Sequence, residues 1–156
     1  MQKITPFLWF NNLAEEAVNF YINLFSGKDS ETKILNKIPG PNGTVMGLSF
    51  QLFGQHFQAL NGGPQFPFTE AISLYVSCDT QEEVNEYWDK FISGGGTESN
   101  CGWLKDKFGL SWQIIPKQLS QMLGDSDREK ANRVMQAMLK MKKIDINTLK
   151  IAYEQK

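Results

Sequence analysis

Residues 71–96 read AISLYVSCDTQEEVNEYWDKFISGGG, and this stretch decides the fold. From Ala71 to Ser77 the residues alternate. Ile72, Leu74 and Val76 fall on one face and Ser73, Tyr75 and Ser77 on the other, the period-two pattern of a half-buried strand. Cys78-Asp79-Thr80 is a helix-capping signal, and Glu82 and Glu83 fill a first turn where negative charge complements the helix dipole. Val84, Tyr87, Trp88 and Phe91 recur at three-and-four spacing, which predicts a helix over about 81–92, stopped by Gly94-Gly95-Gly96. Three short strands are expected next, near 97–99, 102–106 and 111–115, the last two joined through Phe108-Gly109.

Upstream the same order recurs. Residues 4–10, ITPFLWF, are bulky and β-favouring and read as a first strand. Asn11-Asn12 is the turn and N-cap signal for a helix over about 14–25, whose stripe is Ala14, Ala17, Val18, Tyr21, Ile22 and Phe25. Strands are expected near 30–38, 45–53 and 56–60, with PGPNG at 39–43 and Gly54-Gln55 as the turns between them. The breaker NGGPQFP at 61–67 is the expected linker. The order β-α-β-β-β therefore occurs twice, in modules at 1–63 and 67–116, with almost no sequence identity between them. A helical tail over 117–156 completes the chain, with helices expected at about 117–123, from the Gly124–Asp127 cap to Lys143, and at 145–154. At 156 residues the chain is read as a single α+β domain.

Composition narrows the function classes. Lys and Arg number 16 against 17 Asp and Glu, with a pI near 5.9, so no positive field speaks for nucleic-acid binding. No apolar run reaches the length of a membrane span, and Met-Gln-Lys-Ile-Thr-Pro lacks the pattern of a secretory signal, so a cytoplasmic protein is expected. Two cysteines, Cys78 and Cys101, make no disulfide framework, and one histidine cannot build a three-His metal site or a zinc finger within one subunit.

Several strings carry a family resemblance. PFLWFNNLAEEAVNFYINLF, GQHFQALNGGP, CGWLKDKFGLSWQIIP and REKANRVMQAMLKMKKIDINTLKIAYE resemble the opening, the fourth strand and module linker, the closing strands and the helical tail of the PhnB-like branch of the vicinal oxygen chelate superfamily. That superfamily includes glyoxalase I, bleomycin-resistance proteins and extradiol dioxygenases, and this branch carries the label 3-demethylubiquinone-9 3-methyltransferase-like. The resemblance implies two βαβββ modules forming curved mixed sheets with a concave pocket, plus C-terminal helices, and a homodimer. Methyl transfer from S-adenosylmethionine finds no support in the residues: the first strand-to-helix turn, Asn11-Asn12-Leu13, has no glycine, and the Gly94–Gly96 cluster ends a helix. Metal-dependent relatives hold a divalent ion with His and Glu from the first and fourth strands of each module. The matching positions here fall near Thr5, Gln58, Ala71 and Gln113, which offer no charge to an ion, so neither a metal nor another cofactor is expected.

The candidate site follows from the same strand counting. Gln58 and Gln113 interrupt strongly apolar strands at matching places. They either line a shared pocket or form the wet face of a half-exposed sheet. Trp9, Tyr75 and Trp103, with Phe7, point the same way and suit a planar or apolar ligand, or else make core or dimer contacts. Trp112 and Phe57 turn toward the helices as core. His56 is a candidate proton-transfer group or a surface histidine; nothing near it in sequence has the spacing of a triad. Cys78 reads as a small buried residue, and no base is visible for Cys101. Lys105-Asp106 reads as an exposed turn pair, or as a guard for an anionic ligand. Met135, Met138 and Met141 read as a packing stripe or a subunit interface. The functional expectation is a small-molecule-binding protein that works without a metal. The alternatives are a metal-independent lyase, isomerase or transferase acting on a carbonyl compound, with His56 or a water as base, and a purely structural dimer.

Overall fold

The computed structural model describes residues 2–27 and 31–155, which fall into two compact units divided between Phe68 and Thr69. The 61–67 stretch stays with the first unit and the helical tail with the second.

In the first unit, β1 (Phe7–Phe10), α1 (Ala14–Phe25), β2 (Lys33–Pro39), β3 (Val45–Leu52) and β4 (Gln55–Asn61) follow in order. The expected start of β2 at Ser30 lies outside the described residues. The sheet order is β1-β4-β3-β2, with β1 parallel to β4 and the other pairs antiparallel. Leu8, Ala59 and Leu48 form one cross-strand row, and Phe50 and Phe57 stack in the next with ring centroids 5.3 Å apart. These side chains are buried beneath α1, which contributes Ala14, Ala17, Val18, Tyr21, Leu24 and Phe25. The alternate residues, Phe7, Trp9, His56, Gln58 and Ser49, therefore lie on the opposite, open face.

The expected cap of α1 differs from the observed one. The N-cap residue is Leu13, which has no side chain for the task, and the Ala14 N–H donates instead to Asn61 Oδ1 at 2.9 Å. Asn61 also donates to Val45 O at 3.0 Å, so a residue 47 positions downstream closes the helix and ties the end of β4 to β3.

The second unit repeats the plan with β5 (Ser73–Cys78), α2 (Gln81–Ser93), β6 (Thr97–Glu98), β7 (Trp103–Lys105) and β8 (Ser111–Pro116), in sheet order β5-β8-β7-β6. Here β5 is parallel to β8. Thr80 caps α2 by accepting from Glu83 N, as its sequence suggests. Trp112 and Phe91 meet at 4.8 Å, and with Leu104, Ile114, Val84, Tyr87 and Trp88 they make the core between sheet and helix. Ile72 departs from expectation. It precedes the strand and is 59% exposed, so the helix-facing side of β5 starts at the half-buried Leu74.

The tail consists of α3 (Lys117–Leu123), α4 (Arg128–Met138) and α5 (Ile146–Glu154). The expected run to Lys143 stops at Met138; the chain beyond turns to meet the 99–102 loop, where Cys101 N and Gly102 N donate to Met141 O and Lys142 O at 2.8 Å. Ile115, Leu119, Val134, Ile144 and Leu149 form a separate buried cluster, with Met122, Met138, Met141 and Tyr153 packed around it. Met135 and Leu139 stay exposed, so the methionine stripe is only partly core. Asp127 and Asp145 cap α4 and α5. Arg133 donates to Ala152 O and Tyr153 O, both at 2.9 Å, and the Tyr153 hydroxyl donates to the Asp125 carboxylate. That bond holds Asp125 below the usual carboxylate range. None of the helices among the described residues is long and apolar enough to cross a membrane.

Because Leu149 is completely buried at the centre of the tail cluster, Leu149→Ala is expected to cost about 3 kcal/mol in urea unfolding. An unchanged midpoint would mean the tail adds nothing to the stability of the second unit.

Candidate functional site

Strand register brings three of the expected site residues together. Tyr75 on β5 pairs with Gln113 on β8, and Gln113 pairs with Trp103 on β7, so one cross-strand row runs Tyr75–Gln113–Trp103 on the face turned away from α2. Tyr75 is 52% exposed, while Gln113 and Trp103 are half-buried. Gln113 Nε2 donates to Ser73 Oγ at 2.9 Å, and the Tyr75 hydroxyl lies 3.0 Å from Ser120 Oγ on α3. The Ser120 contact has no signal in the local sequence, because it depends on where the tail returns.

In the first unit the corresponding row is Phe7–Gln58–Ser49. Gln58 is exposed, and Phe7 is 57% exposed beside it. Trp9 lies on the same open face one row along, opposite Leu60, and is held firmly. Its indole N–H donates to Gly63 O at 3.0 Å, and Phe66 meets the ring edge-on at 5.0 Å. A side chain at position 62 would put its Cβ 2.3 Å from the Trp9 ring, so only glycine admits this approach. His56 is exposed on the same face as Gln58, and its backbone exchanges hydrogen bonds with the Gln2 side chain at 3.0 and 3.1 Å.

The positions compared with metal ligands shift once register is known. Thr5 and Ala71 precede their strands; Phe7 and Tyr75 are the residues beside Gln58 and Gln113. The donors of the two rows, Gln58 and Ser49 in one and Gln113 and Tyr75 in the other, are amides and hydroxyls without negative charge, and the His56 imidazole near the first adds no carboxylate, a set that does not fit a divalent ion. Among the described residues no three His, Cys, Asp or Glu side chains are grouped to hold one. S-adenosylmethionine fits no better. Asn11-Asn12-Leu13 and Asp79-Thr80 are the strand-to-helix turns, and neither contains glycine.

Asp106 is a correction. It is not an exposed turn residue but 5% exposed. Its Oδ1 accepts from Phe108 N at 2.8 Å and Leu110 N at 3.0 Å, and its Oδ2 accepts from the Trp112 indole at 2.9 Å. The carboxylate closes the β7–β8 turn and anchors a core tryptophan, which leaves it no part in ligand chemistry. Lys105 is paired with Glu70. Cys78 is buried, and burial, with Glu83 and Asp79 adding, pushes its thiol up to about 12, so it is inert as a nucleophile near neutrality.

Two four-stranded mixed sheets, each backed by one helix and open on the other face, define a protein of the glyoxalase and bleomycin-resistance type of fold. The fosfomycin resistance protein FosX from Listeria monocytogenes has this fold, with a TM-score of 0.59 at 14% identity over 80% of this chain and 98% of that one. A protein from Pseudomonas aeruginosa is similar at a TM-score of 0.56 and 17% identity, over 74% of this chain and 98% of that one. The PhnB protein of Bacillus cereus, described as a 3-demethylubiquinone-9 3-methyltransferase, shares 36% identity over 74% of this chain and 99% of its own, with a TM-score of 0.66. The family model for 3-demethylubiquinone-9 3-methyltransferase matches residues 2–115, and the chain belongs to that family, the PhnB-like branch of the vicinal oxygen chelate superfamily. No curated protein sequence matches the chain.

Two outcomes follow. Asp106→Ala strands two backbone N–H groups and an indole N–H and is expected to lower unfolding free energy by about 3 kcal/mol, whereas Asp106→Asn, which keeps an acceptor for Phe108 and Leu110, costs less. Equal stability of the wild type and the alanine variant would show the carboxylate to be dispensable. Elemental analysis of tag-free protein should find well under one divalent ion per chain; a stoichiometric ion that survives dialysis contradicts the donor chemistry.

Proposed function

We propose that the protein binds a small planar or apolar molecule on the open sheet face of its second module and that it does so without a metal. The observation that carries this reading is the aromatic–amide–aromatic row Tyr75–Gln113–Trp103, presented on a face that no helix of its own module covers. An exposed tyrosine and a half-buried tryptophan offer stacking area, worth about 0.5–1.5 kcal/mol beyond simple burial, and the amide between them fixes the orientation of a polar edge. In the first module Phe7 and Gln58 hold the corresponding places, and Trp9, one row along on the same face, is pre-set by its bond to Gly63. A rigid wall loses little freedom on binding, which favours recognition of a flat ligand.

Methyl transfer remains a property of the family's description. Nothing in the strand-to-helix turns favours it here. His56 could serve a carbonyl-directed reaction only with a partner to orient its ring, and its backbone bonds to Gln2 do not supply one.

With 1-naphthol as a planar probe, ligand-observed NMR titration is expected to give saturable binding. Trp103→Ala and Gln113→Leu should each weaken it about fivefold, with little loss of thermal stability because both side chains are half-exposed. Unchanged affinity in both variants, or no binding to the wild type, overturns the assignment.

A further inference from the structure

The family model ends at residue 115, and α3 begins two residues later. On β8 the open-face side chain after Gln113 is Ile115, and it is buried against Leu119, Ile144 and Leu149 of the tail. The tail therefore covers one end of the second module's open face. Leu119 anchors α3 there, and the next residue, Ser120, stays exposed with its Oγ 3.0 Å from the Tyr75 hydroxyl. We propose that Ser120 is a specificity-determining residue: with Tyr75 it forms a hydroxyl pair that anchors a polar substituent of the bound ring, so that the tail selects hydroxyl- or keto-substituted aromatic molecules over unsubstituted ones. The inference rests on the reading of the open face given above.

The chemistry of the pair supports this choice. Two hydroxyls that share one hydrogen bond keep a second proton and several lone pairs between them. The pair both donates and accepts, which matches a phenolic hydroxyl and can also serve a carbonyl. It stands at the end of the row formed by Tyr75, Gln113 and Trp103, where the edge of a ring stacked on the aromatics would arrive. The tail holds Ser120 in place through its buried cluster and through the bonds from Cys101 and Gly102 to Met141 and Lys142, so the pair is set before any ligand arrives. The first module's row, Phe7–Gln58–Ser49, has a ring without a hydroxyl at the place of Tyr75, so its open face carries no such pair there.

The test compares 1-naphthol with naphthalene, which has the same ring system and no polar substituent, by ligand-observed NMR titration of the full chain. Ser120→Ala is expected to weaken 1-naphthol about fivefold, the worth of one ordinary hydrogen bond, and to leave naphthalene unchanged. Ser120→Thr, which keeps the hydroxyl, should restore 1-naphthol binding. If the wild type binds both probes and Ser120→Ala alters neither, or alters both alike, the role of Ser120 is wrong and the open-face reading stands. If the wild type binds neither probe, the open-face reading fails and this inference falls with it.

Discussion

A parallel ladder joins the first and last strands of each module, placing Phe7 beside Gln58 in one and Tyr75 beside Gln113 in the other. Parallel neighbours cannot be joined by a tight turn, so the chain between them must cross over, and here it does so through one helix and two further strands. That helix has only one sheet face to cover. Alternation then divides each strand: Leu8, Ala59 and Phe57, or Trp112, Ile114 and Leu104, go to the helix, and their neighbours go to the open side. A slip of one residue would exchange the two sets and put glutamines into the core. The chemistry of the open face is therefore a consequence of the register that the core demands.

The tail changes the second module without altering that register. It builds its own apolar cluster on Ile115, a residue that strand alternation would otherwise leave open, and it ties down the 99–102 loop through backbone bonds. Gly102, at φ +83°, sits where a side chain would strike Ile115 and Ile144, so the loop and the tail interlock only with glycine there. The result is a face whose far end is closed by helix α3 and furnished with a serine hydroxyl.

Polar residues close in sequence have taken opposite duties. Asp106 and Gln113 are seven positions apart. The first is buried to satisfy three donors in the β7–β8 turn, and the second remains half-exposed in the aromatic row. Trp9 is fixed by a hydrogen bond to Gly63, whereas the Tyr75 hydroxyl meets Ser120 of the tail. The contrast between Asp106 and Gln113 separates a group that maintains the scaffold from one that can meet a ligand.

Local patterning by itself determined the twofold β-α-β-β-β order, the buried faces of α1 and α2, the Thr80 cap, the extent of α3, and the shared side of Tyr75, Trp103 and Gln113. Each of these rests on the 2.0 and 3.6 residue periods or on a side chain bonding to its own turn, and both are written in neighbouring residues. Tertiary structure alone decided that Asn61 caps α1, that Asp106 is buried, that Ile72 lies outside its strand, that α4 stops at Met138, and that Ser120 reaches Tyr75. The physical reason is common to most of these. A polar group's partner, or the surface that ends an element, comes from a segment distant along the chain, and only the folded register brings the two within hydrogen-bonding or packing distance.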